Sequence, residues 1–134
     1  MKLLVAAFLV AHALIHVSYL APAPPQTSGG PEWPFEMTRS WLVSALQLDP
    51  GLVRVAGTAL VAVTVALLVA AGLAAAEWVV PAAWWPALAV SGAAASLATL
   101  LVFFHPWILL GIAIDLALMW AILALGWRPE GIPA

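Results

Sequence analysis

Cysteine is missing from this 134-residue chain. Disulfides, thiolate metal ligands and a cysteine nucleophile are thereby excluded, and cysteine usage says nothing about redox compartment. Charge is almost missing too. Four basic residues (Lys2, Arg39, Arg54 and Arg128) face six acidic ones, for a net charge of −2. Nucleic-acid binding needs clustered Lys and Arg, and no such cluster exists. Only 7% of the residues are charged, whereas 66% are apolar. A soluble domain carries roughly a quarter charged residues. A water-soluble protein this apolar would expose large greasy patches and aggregate. The bilayer is the expected solvent, and the chain reads as a single all-α membrane domain over 1–134.

A hydrocarbon core about 30 Å thick needs about 20 apolar residues per helix. Four stretches meet this: about 3–20, 51–76, 82–104 and 107–127. The first resembles a secretory signal ending in "APA", but cleavage after Ala21 or Ala23 would leave proline first, so it is read as a retained span. Backbone groups in lipid must be satisfied internally, so the expected architecture is a bundle of four transmembrane helices. "APAPPQTSGGPEWP", 21–34, holds five prolines and two glycines and reads as loop. Asp49 and Pro50 suit the N-cap and first turn of the second span. "HP", 105–106, makes a tight turn before the last span. Seven of the eight tryptophans fall at span ends or in loops, as interfacial belts require. Within loop 21–50, "TRSWLVSALQL", 38–48, places Trp41, Leu42, Ala45 and Leu48 on one helical face. It is expected to be a short amphipathic surface helix, with an extra turn on the second span as the alternative. Gly92 and Ser96 form a small-xxx-small pair suited to close helix packing.

Four spans put both termini on one side. Lys2 heading the first span favours a cytoplasmic N-terminus, in a prokaryotic plasma membrane. Loop 21–50 and His105 then lie on the other side.

Polar residues inside the spans are few. At 1.5 Å rise per residue, His12 and Asp115 both lie about 12 Å below the loop 21–50 side, and His16 lies about 6 Å below it. Ser96 and Thr99 fall at about 8–12 Å on the third span. Arg54 and Thr58 start a stripe on the second. A charge at mid-membrane costs roughly 3 kcal/mol or more, so Asp115 must be paired or protonated. His12 and Asp115 are expected to meet, within a polar pocket of His12, His16, Asp115, Thr99, Ser96, Thr58 and Arg54. Tyr19, His105 and Glu36 would form its rim. Glu36 or Asp49 is available to pair with Arg54. Glu77 and Glu130 read as solvated loop charges, and "PEWPF", 31–35, as an aromatic anchor in the interface, with a lid over the pocket as the alternative.

Several chemistries remain open. Interhelical hydrogen bonding alone would glue the spans. His12 and His16, four apart, with Asp115 could hold a divalent metal. A b-type haem needs two axial ligands, and the second is missing within one chain. A His–Asp pair suits proton transfer, although the half nearest the termini lacks polar groups. A hydroxyl–His–Asp triad has the residue types but no G-x-S-x-G element. In size and span count the chain is similar to the small multidrug-resistance exporters. Their first span carries a glutamate where this chain has His12 and His16, and they lack the long proline-rich loop, so their function is not carried over. The reading is a non-enzymatic accessory subunit or ligand-binding protein. Its partners would be the lipid bilayer and either further copies of itself or other membrane subunits. A proton-coupled transporter or a metal- or haem-dependent enzyme are the alternatives.

Overall fold

The structure is a computed structural model that describes residues 1–25, 28–30 and 32–129. Glu130 lies outside the described residues, as do parts of loop 21–50. Among the described residues five α-helices form: α1 Lys2–Val17, α2 Trp41–Leu46, α3 Pro50–Ala75, α4 Trp85–Val102 and α5 Leu109–Leu123. Short 3-10 turns precede α4 and α5 and extend α1 to Leu20. With these turns, four helices among the described residues are long and apolar enough to cross a membrane: Lys2–Leu20, Pro50–Ala75, Ala82–Val102 and Pro106–Leu123.

Asp49 caps α3 as its position before Pro50 requires. Its Oδ1 accepts the Leu52 N–H at 2.8 Å, satisfying one orphan donor of the first turn. The last helix stops at Leu123, four residues short of the expected Trp127. Gly126 turns left-handed at φ 61°, and the Trp127 N–H donates to the Ala121 carbonyl. A left-handed glycine closing a helix in this way ends it regardless of the apolar residues beyond. The surface helix is also shorter than 38–48. Met37–Arg39 is a separate 3-10 turn, and Gln47, at φ 55°, stops α2 after six residues.

Helix α3 packs against both α1 and α4, and α4 packs against α5. Two glycines set these approaches. A Cβ on Gly72 would meet the Ala6 carbonyl oxygen of α1 at 3.0 Å, and one on Gly92 would meet Leu68 of α3 at 2.8 Å. Small residues let apolar helices exchange side-chain bulk for backbone contact. The core divides in two. Near the termini it is Ala6, Leu9, Ala13, Leu68, Ala71, Ala74, Ala75, Trp85, Ala89 and Ile122. Toward the long loop it is Tyr19, Met37, Val53, Val61, Leu100, Phe103 and Ile108.

The same two ends are marked by polar ties. Lys2 pairs with Glu77 at 2.7 Å, so the N-terminus lies beside the α3–α4 loop and Glu77 is paired rather than simply solvated. At the other end Ser40 Oγ donates to the Val102 carbonyl and Trp41 Nε1 to the Leu101 carbonyl, each at 2.8 Å. These carbonyls end α4, and Pro106 has no N–H to offer Val102 four residues back. The loop side chains supply what the helix cannot.

Candidate functional site

Helix α1 buries Ala6, Leu9, His12, Ala13 and His16. The spacing puts both imidazoles on the stripe that the apolar residues drive inward. Ser96 stands one turn beyond Gly92 on α4, and the close α3–α4 approach carries it into the same interior. Asp115 is, with Ile122, one of two buried residues of α5. Its exposure is 0%, against 5% for His12 and 1% for His16.

These four side chains form one connected cluster. His12 Nε2 lies 3.0 Å from Asp115 Oδ1. Ser96 Oγ lies 2.5 Å from Asp115 Oδ2 and 2.9 Å from His16 Nε2. A longer contact of 3.4 Å joins Ser96 Oγ to His12 Nε2. His16 Nδ1 lies 3.1 Å from the backbone oxygen of His12. A carbonyl only accepts, so His16 Nδ1 carries a proton.

Proton bookkeeping limits the cluster further. Each of the three short contacts (His12–Asp115, Asp115–Ser96 and Ser96–His16) needs one hydrogen. A net charge sealed in an apolar interior is strongly disfavoured, so the neutral cluster is the relevant one. Two neutral arrangements fill all three contacts. In one, a protonated Asp115 donates to Ser96, Ser96 donates to a neutral His16, and His12 donates to Asp115. In the other, Ser96 donates to the Asp115 carboxylate and a protonated His16 donates to Ser96. The two differ by a paired shift of protons through the serine hydroxyl. His12 donates from Nε2 in both, which leaves its Nδ1 without a proton.

The other expected pocket residues are distributed differently. Thr99 Oγ1 donates to the Ala95 carbonyl of its own helix at 2.9 Å and lies 3.5 Å from Thr64 Oγ1. It is buried beside Ser96 but belongs to an α3–α4 pair. Thr58 donates to the Arg54 carbonyl at 2.9 Å. Arg54, Thr58, Tyr19 and Glu36 line a second, larger cavity of about 370 Å³ on the loop side. The single expected pocket is thus two. Among the described residues Arg54 makes no ion pair. Glu36 pairs with Arg39 at 3.0 Å instead, and Asp49 is spent on its cap. His105 sits at the α4–α5 corner, where its Nδ1 accepts the Trp107 N–H at 3.2 Å.

A cleft of about 170 Å³ opens between α1 and α5, with His12, His16, Ile15, Leu110, Gly111 and Ile114 among its lining. Phe35 also lines it and packs edge-on against Tyr19, ring centroids 5.2 Å apart. Phe35 of the 31–35 segment therefore faces this cleft. Pro31 of that segment lies outside the described residues.

For a metal, the expected triad of His12, His16 and Asp115 lies in one cluster, joined through Ser96. Among the described residues no three His, Asp or Glu side chains are grouped to hold an ion. His16 has both ring nitrogens engaged with oxygen atoms, and His12 Nε2 faces the carboxylate directly. For a haem, His105 is held at the α4–α5 corner, where its Nδ1 accepts the Trp107 N–H.

What sequence reasoning missed is the centrality of Ser96, which touches all three other members. Its depth placed it correctly, and its spacing from Gly92 was the available signal. Compared with protein families, with curated proteins and with solved structures, the chain matches none.

Proposed function

We propose that this chain is a small polytopic membrane protein that binds a ligand inside the bilayer, at the cleft floored by His12 and His16. One observation carries the reading. A fully enclosed carboxyl is held by side chains from two other helices, and the cluster borders a cleft between α1 and α5. Apolar clefts with a few convergent polar groups are the usual form of small-molecule sites, and intramembrane ionisable residues mark function more often than packing. The four long helices span the bilayer. The apolar outer face of α5, with Leu109, Leu116, Trp120 and Leu123 exposed, is covered by lipid, by a second copy or by a partner subunit.

The test has two parts. Single cysteines at Ser28 and Val79, in an otherwise cysteine-free chain, are labelled with an impermeant maleimide in oriented vesicles. Labelling from opposite sides is expected, and labelling from one side removes the four-span reading. Native mass spectrometry of the protein in nanodiscs then compares wild type with Ile114→Trp, which fills the cleft. A bound small molecule lost in the variant is the expected result. Identical spectra argue against a site in the cleft.

A second reading draws on Ser96, whose hydroxyl touches both Asp115 and His16. That geometry suits proton exchange with the long-loop side, coupled to transport. Proton flux into proteoliposomes that Asp115→Asn abolishes would favour it. The apolar core near the termini offers no continuation of the path.

A further inference from the structure

The cluster specifies the chemistry of what fits beside it, given the ligand-site reading above. His16 has both ring nitrogens occupied, one by a backbone carbonyl and one by Ser96. Both carboxylate oxygens of Asp115 are engaged. Ser96 is shared among three neighbours. One nitrogen is left: among the described residues His12 Nδ1 has no hydrogen-bond partner. It is not sealed either, since the enclosed unpartnered side-chain atoms are Tyr19 Oη, Trp33 Nε1 and Trp85 Nε1. His12 lines the cleft. The neutral cluster leaves this nitrogen bare, so it accepts and cannot donate.

The rest of the lining is mostly apolar: Ile15, Leu100, Ile108, Leu110 and Ile114 with the rings of Phe35 and Trp107. A charged ligand would be desolvated there without a counter-charge. The volume of about 170 Å³ suits one ring, as a cavity of about 150 Å³ is enough for benzene. We infer that the α1–α5 cleft binds an uncharged, mostly apolar molecule through a hydroxyl group that donates to His12 Nδ1, a phenol or a compact alcohol. A ketone, ether or ester of the same shape offers only acceptors and leaves that nitrogen unfilled. Such a molecule dissolves in the bilayer and reaches the cleft sideways, between the two helices.

The experiment uses 15N-histidine-labelled protein in nanodiscs, with His12 assigned from the signal lost in His12→Gln. The probes are 4-methylphenol and its methyl ether, 4-methylanisole, which differ in the donor hydrogen. Without ligand, the Nδ1 signal of His12 is expected in the unprotonated range. The phenol should move it, saturably, and bind about tenfold more tightly than the ether, the scale of one net hydrogen bond. Ile114→Trp and the more exposed Leu110→Trp should abolish both effects. A proton on Nδ1 in the ligand-free protein, or an ether that binds as tightly as the phenol, overturns the hydroxyl rule. If the Trp variants still block both probes in that case, the cleft stands as a site. If neither probe perturbs His12, or the Trp variants change nothing, the ligand-site reading falls with it.

Discussion

The two ends of the bundle hold together by different means. Near the termini the core is alanine-rich, and Gly72 brings α3 onto the backbone of α1. Toward the long loop the interior holds two imidazoles, a hydroxyl and a carboxyl. Beside the apolar cluster at that end, these polar groups join α1, α4 and α5 by hydrogen bonds. In the apolar half, affinity comes from proximity and is spread over many small contacts. In the polar half it rests on a few directional ones, each of which strands a buried partner when lost. The expected consequence is that single substitutions are felt far more at one end than at the other.

The sharpest break is Asp115→Ala. Removing one member of a buried ionisable pair costs roughly 3–5 kcal/mol, and here both His12 and Ser96 lose their partner. Thermal unfolding in detergent should show the largest loss of any single substitution. Asp115→Asn, which keeps the shape and an accepting oxygen, should lose clearly less. Ser96→Ala comes next, at about 1–3 kcal/mol for leaving buried polar atoms unsatisfied. It should also break the hydrogen-bonded link between Asp115 and His16, read as altered histidine 15N signals. On the apolar side Gly92→Ala should cost about 1–3 kcal/mol by overpacking against Leu68, and, because this approach also places Ser96, it should shift the histidine signals, though less than Ser96→Ala does. A Gly92→Ala variant that left the histidine signals unmoved would show the two halves to be independent. The smallest effect belongs to Lys2→Ala. An exposed ion pair is worth about 0–1 kcal/mol, and raising the salt concentration in wild type should reproduce most of the change.

Much of this contrast was legible in the sequence because a helix converts residue number into height. The rise per residue brought His12 level with Asp115 across 103 positions of chain, and the two side chains meet. Span limits followed from apolar length and from the Asp49-Pro50 and His105-Pro106 signals. The last helix was overread because hydrophobicity continues past Gly126, whose left-handed conformation ends the helix earlier. Height alone does not give azimuth. Arg54 and Thr58 lie in the expected half but face the loop-side cavity, away from the histidines. Nor does composition show that Phe35 turns inward, because that depends on Tyr19 offering an aromatic edge at the mouth. The capping of α4 by Ser40 and Trp41 was likewise invisible, since it joins residues about 60 apart through side chains to carbonyls.

That last arrangement has a mechanical corollary. The long loop is fastened to the end of α4, so a pull on it is delivered to the helix that carries Ser96. Helix α5 packs mainly on α4 and meets α1 through His12 and Asp115. Spreading α1 from α5 would therefore break that bond and uncover one face of the carboxyl. The final helix hangs on α4 like a leaf and is latched to α1 at the site itself.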